Sequence, residues 1–227
     1  MMFILRQPNN NSILKFSDQF IMIVAKFWKS YLKVLDRFPL RTQIVQTGLI
    51  MGAGDAIAQI VIEKKNTYEL DRTMRFVAIG SFFVAPTIRV WYISLEKLFG
   101  TSVTIKTTLL KVGTDQLFFA PIFTAAIMGM IGTSQAISTN IGDDKSKNRY
   151  SKLKEDIIEV KNRTQADLMD VVLTGWTIWP ATQLANFYLV PFLVRPLVVS
   201  TVALFWNSYI SWKTNRKIEN TKEIMAN

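Results

Sequence analysis

The chain has 227 residues, of which 49% are hydrophobic and only 19% charged, with a formal net charge of +10. A soluble domain carries about a quarter charged residues; here charge is depleted and gathered into a few stretches, which predicts an all-α integral membrane bundle. With no cysteine and no histidine, disulfides, thiolate and imidazole catalysis and the usual zinc ligand sets are excluded, and neither a cofactor nor an enzymatic activity is expected.

Residues 1–19 read as a loose extension, since Pro8 and the Asn9–Asn11 run oppose helix. From Phe20 to Phe38, Lys26, Lys29, Lys33 and Arg37 recur every three or four positions, while Phe20, Ile23, Val24, Phe27, Trp28, Tyr31 and Leu35 fill the other side. That pattern predicts an amphipathic helix at a membrane interface or packed on the bundle. Its basic character also suits a mitochondrial targeting segment, although serine is scarce. Pro39 ends it.

A span needs roughly 17–25 apolar residues, and four segments qualify, near 43–62, 74–95, 116–140 and 171–194. The first contains Gly48 and Gly52, whose spacing puts two small residues on one face and lets another helix approach closely. A charged hairpin, Glu63–Arg75, leads into the second, which Pro86 should kink and Trp91–Tyr92 should anchor at the interface. Asp143–Asp170 holds seven basic and seven acidic residues and reads as a solvated loop, partly helical over Tyr150–Lys161. Pro180, Pro191 and Pro196 predict broken or tilted helices in the last part. A fifth apolar segment, 196–212, is just long enough to cross or to lie re-entrant, and a basic tail, 213–227, follows. Residues 20–212 thus form a single membrane-embedded domain. Basic residues flanking apolar runs meet lipid headgroups, so the bilayer is the expected partner and no direct nucleic-acid contact is expected.

Ionisable groups inside spans cost at least roughly 2.5–3.5 kcal/mol near a helix centre and therefore need partners or water. Four such groups stand out, Asp55, Arg89, Asp115 and Arg195, and two acids with two bases suggest mutual pairing. Gln59, Gln116, Gln183, Asn186 and Asn207 add amides. The set predicts a polar interior that is either a hydrogen-bonded core or a hydrated path for small solutes. Gly52-Ala53-Gly54-Asp55 matches the Gly-x-Gly-Asp string of intramembrane aspartic proteases. That chemistry needs a second carboxylate, and Asp115 lies in Gly-Thr-Asp-Gln rather than after a tyrosine, so the match carries little. No phosphate-binding glycine loop is present.

The ordered residues Trp28, Tyr31, Leu35, Pro39, Thr42, Gly54-Asp55 with Gln59, Asp71, Arg75, Pro86, Trp91-Tyr92, Asp115-Gln116 and Pro121 resemble a known family. So does the stretch Trp179-Pro180-Ala181-Thr182-Gln183-Leu184-Ala185-Asn186-Phe187-Tyr188-Leu189-Val190-Pro191 with Arg195 and Trp206-Asn207-Ser208-Tyr209-Ile210-Ser211-Trp212. The chain is similar to the Mpv-seventeen and twenty-two-kilodalton peroxisomal membrane protein family over about residues 25–215. One departure is Ala85-Pro86, where the family has Gly-Pro. The resemblance implies a four-span protein of the mitochondrial inner membrane, with the peroxisomal membrane as the alternative. It further implies a weakly selective pore for small solutes or metabolites, able to form homo-oligomers and linked to mitochondrial homeostasis and mitochondrial DNA maintenance. A non-conducting structural or assembly protein is the alternative.

Overall fold

The computed structural model describes residues 10–102, 104–141, 149–190 and 195–216, and these are helical with short connections. The chain forms two units, Met1–Gln43 and Ile44–Asn227.

In the first unit, α1 runs from Asn10 to Arg37, so helix begins well inside the segment expected to be loose. Lys26, Lys29, Lys33 and Arg37 are exposed, whereas Trp28, Tyr31 and Leu35 are partly covered, and the Trp28 and Tyr31 rings stack at 5.3 Å. The helix ends at Phe38, and Pro39 opens α2 (Pro39–Ile57), at a position where its missing N–H costs nothing. The Arg37 and Arg41 guanidinium groups lie 5.2 and 5.4 Å from the centre of the Phe38 ring, cation–π contacts that cover this corner.

Among the described residues the second unit comprises α2 from Ile44 onward with α3 (Leu70–Ile79), α4 (Ala85–Phe99), α5 (Ile105–Thr114), α6 (Ala120–Ile141), α7 (Arg149–Tyr188) and α8 (Arg195–Asn215). Three π-helical turns, Ala58–Ile62, Gly80–Val84 and Asp115–Phe119, extend or join them. They fuse α3 with α4 and α5 with α6 into continuous rods. Two of the turns immediately precede proline positions, Pro86 and Pro121. A proline ring collides with the carbonyl four residues back in a regular α-helix, and a widened turn moves that carbonyl away. Three helical stretches among the described residues are long and apolar enough to cross a membrane: Pro39–Ile62, Leu70–Phe99 and Ile105–Ile141. The third begins at Ile105, eleven residues before the apolar run read from sequence, because the threonine-rich segment after Thr104 is capped and helical. Thr104 accepts from the Thr107 N–H, and Thr107 reciprocates, a closed capping box.

The helix expected over Tyr150–Lys161 is present and longer: the described part of the charged stretch, 149–170, is wholly helical and forms the first half of α7, which continues without interruption to Tyr188. At about 1.5 Å per residue, a helix of 40 residues is roughly twice as long as the ~30 Å hydrocarbon layer. The charged half therefore extends as a rigid rod where a partly helical loop was expected. Its evenly mixed charges offer i,i+4 pairs that favour helix over coil. α7 lies along α6, α8 packs on both and on the π turn after α2, and α3 packs on α6. The core between them comprises Met51, Phe76, Ile79, Val84, Met128, Ile131, Val171 and Ile210. Large apolar side chains such as Phe82, Phe118, Ile122 and Phe205 face outward and exposed, the surface expected of a protein solvated by lipid.

Candidate functional site

Gly48 sits where α2 crosses the α3 rod. A Cβ placed there would lie 2.2 Å from Ser81 Oγ and 3.1 Å from the Val77 carbonyl, and one at Gly52 would lie 2.5 Å from Val77 Cγ2. From the other side, a Cβ on Gly80 would meet Met51 Sδ at 2.9 Å and the Thr47 carbonyl at 3.0 Å. Backbones this close bring the polar residues of α2 and α3 within direct reach of one another.

Asp55 is completely buried. Its Oδ1 accepts from Arg72 Nε at 2.7 Å and Ser211 Oγ at 2.6 Å, and its Oδ2 from Gln59 Nε2 at 2.8 Å and Thr73 Oγ1 at 2.6 Å. A carboxylate has about four lone-pair sites, and all are taken. Arg72, 1% exposed, also grips Glu63 with both terminal nitrogens at 2.8 and 2.6 Å and donates to Ser211 Oγ at 2.7 Å. Gln59, on the π turn, donates further to Thr73 and to the Glu69 carbonyl, and its Oε1 receives the Glu69 N–H at 2.8 Å, which caps α3. The network ties α2, α3 and α8 together and leaves no lone pair of Asp55 free.

Asp115 begins the π turn between α5 and α6, with Gln116 beside it; both are buried. Trp91 Nε1 donates to its Oδ1 at 2.7 Å and Gln116 Nε2 to its Oδ2 at 2.8 Å, and Gln183 and Asp115 line one cavity. These donors are neutral, so the carboxylate is solvated by dipoles rather than matched by a charge. The Gln116 carbonyl takes Trp176 Nε1 at 3.0 Å, and the Trp91, Phe119 and Phe123 rings stack in series at 4.6 and 4.7 Å. Beside them a cavity of about 140 Å³ is lined by Tyr92, Asp115, Gln116, Trp179 and Gln183 among others. The Oε1 of Gln183 is buried and accepts nothing from the described residues, an unmet acceptor of the kind a hydrated or donor-bearing solute would satisfy.

Of the four ionisable groups expected to pair among themselves, Asp55 takes its charged partner from outside the set, Arg72. Asp55 and Gln59 share one cluster, and Asp115, Gln116 and Gln183 another; Asp55 and Asp115 share no partner, unlike a protease dyad. Arg89 is half-buried on α4 and engaged. The side chains of Asn186 and Arg195 lie outside the described residues. Arg72 escaped the sequence analysis because it belongs to the charged hairpin. Its signal was periodic: Phe76 and Ile79 follow at four and seven residues and are buried, so position 72 lies on the inward stripe.

A bundle of long apolar rods, joined by a buried ion pair and holding a largely apolar cavity into which one carboxylate and two amides are set, defines a multi-span α-helical membrane protein. The model of the Mpv17 / PMP22 family matches residues 154–211. The chain is 34% identical over 195 residues to the mitochondrial inner membrane protein Mpv17 of Danio rerio, covering 85% of this chain and 99% of that one. To the protein of the same name in Homo sapiens it is 35% identical over 191 residues, 83% and 98% of the two chains. To PXMP2/4 family protein 2 of Dictyostelium discoideum it is 35% identical over 214 residues, 88% and 100% of the two. The chain belongs to the Mpv17 / PMP22 family, and with relatives so named across several species its place is the mitochondrial inner membrane. These relatives are named as membrane proteins rather than as enzymes. No solved structure matches the chain.

Proposed function

We propose that the protein passes small polar solutes or metabolites across the mitochondrial inner membrane, and through that supply contributes to mitochondrial homeostasis and mitochondrial DNA maintenance. The observation that carries this reading is the chamber at Asp115, a cavity inside the bundle that joins a carboxylate without a charged partner among its hydrogen-bond donors to the unmet Gln183 acceptor. Such a lining favours cations and donor-bearing solutes over anions. The test is planar-bilayer current from purified protein beside Asp115→Asn. Discrete openings whose cation preference falls in the variant are expected; a silent bilayer across lipids and voltages, or unchanged selectivity, overturns the reading. The saturated Asp55 cluster favours a second reading, a non-conducting scaffold. In that case Asp55→Asn changes abundance and complex size while neither protein conducts.

A further inference from the structure

We propose that a second cavity, between α6, α7 and the end of α8, binds a small zwitterionic solute, one whose carboxylate and ammonium lie a few bonds apart, between Glu159 and Arg163. The cavity measures about 200 Å³ and both residues line it, with Gln135, Thr164 and Lys213. The other charged groups of its lining are already engaged. Asp156 receives Asn140 Nδ2 at 2.7 Å, and Asp167 is taken by Lys213 at 3.2 Å and Arg216 at 2.8 Å. Lys213, 7% exposed along its side chain, is completed by Asp170.

Glu159 and Arg163 stand one turn apart on the same helix face, in the order that normally closes into an i,i+4 ion pair. They do not close. Arg163 turns Nη2 to the Arg216 carbonyl rather than to Glu159, whose side chain is exposed at the cavity mouth, while Gln135, Arg163 and Thr164 are half-buried along its wall. An acid and a base one turn apart on α7, unjoined at the rim of a cavity, with the Gln135 amide lining it from α6 and the Thr164 hydroxyl from α7 itself, complement a molecule that brings both charges. The carboxylate would engage the guanidinium fork, and the ammonium would engage Glu159.

The site is separate from the Asp115 chamber and is tested without current. Isothermal titration of the full-length protein in detergent would use L-serine and γ-aminobutyrate as zwitterions, with propionate and ethanolamine as singly charged controls. At least one zwitterion is expected to bind tenfold or more tightly than either control, and Glu159→Gln to weaken it at least tenfold with the unfolding midpoint unchanged. Equal binding of zwitterions and controls, no zwitterion heat, or full affinity in Glu159→Gln overturns the proposal.

Discussion

Replacing Arg72 by methionine is the sharpest test of how this bundle holds together. The substitution keeps much of the aliphatic volume but removes the guanidinium bonds to Asp55, Glu63 and Ser211. Asp55 is then a fully buried anion with only neutral donors, and Glu63, 13% exposed along its side chain, loses its bidentate partner. Breaking a buried pair from one side costs about 3–5 kcal/mol, chiefly because the abandoned charge stays desolvated. That is a large share of a typical ~5–15 kcal/mol stability. The assay is SDS titration in mixed micelles followed by tryptophan fluorescence, with size exclusion to confirm a monodisperse start. If the origin of the loss is the stranded charge, Arg72→Met with Asp55→Asn should be less destabilised than the sum of the two single variants. A loss below about 1 kcal/mol for Arg72→Met, or strict additivity in the double variant, would refute the account of Asp55 as a charge-matched tie between three helices.

At the crossing of α2 and α3, Gly80→Leu should disrupt packing by at least about 2 kcal/mol, since Met51, Thr47 and Gly48 already lie at 2.9–3.1 Å from its Cβ position. Gly129→Ala, with nothing within 4 Å, should stabilise by roughly 0.5–1 kcal/mol through helix propensity; the same SDS titration compares them. Trp91→Phe keeps the ring stack but deprives Asp115 of one donor, which should cost about 1–3 kcal/mol and alter any bilayer current without lowering the amount of folded protein. The Lys213 hydrogen bond holds the Asp170 carboxyl below its ordinary 3.8, so its stabilisation is full above that value and fades as pH falls through the lowered one. Burial opposes the Lys213 charge, but Asp170 and Asp167 outweigh it and raise the ammonium above 10.5. That contribution holds below 10.5 and is lost only at higher pH. Asp170→Asn should therefore be less stable than the parent at neutral pH by no more than about 1 kcal/mol, because the carboxylate is exposed, and the gap should close as the medium is acidified well below 3.8.

Helical membrane architecture was legible in the sequence because lipid demands long uncharged runs, and hydropathy reports those directly. Charge-rich segments were harder. Arg72 and the first half of α7 carry the same residue types as solvated loops, and only their three- and four-residue spacing against buried neighbours separates them. The Asp55–Gln59 pair could be anticipated from one helical turn. The partners Thr73 and Ser211 could not, since they lie 18 and 156 residues away and reach Asp55 through the glycine crossing and the return of α8. The grouping of Asp115 with Gln183 is likewise a product of how α7 lies along α6, which no local pattern encodes.

The π turns bear on how chain length varies. Each amounts to one surplus residue absorbed without rotating the faces on either side. In a relative without a proline at the position of Pro121, removing a single residue from a turn such as Asp115–Phe119 lets the rod relax toward regular α geometry with its inward stripe still aimed correctly; with the proline kept, its ring would meet the carbonyl four residues back. Removing one from an ordinary turn swings everything beyond it by about 100°. A one-residue gap between this chain and a relative therefore belongs at Ala58–Ile62, Gly80–Val84 or Asp115–Phe119, and a helical wheel drawn through a whole rod loses its stripe past each of them.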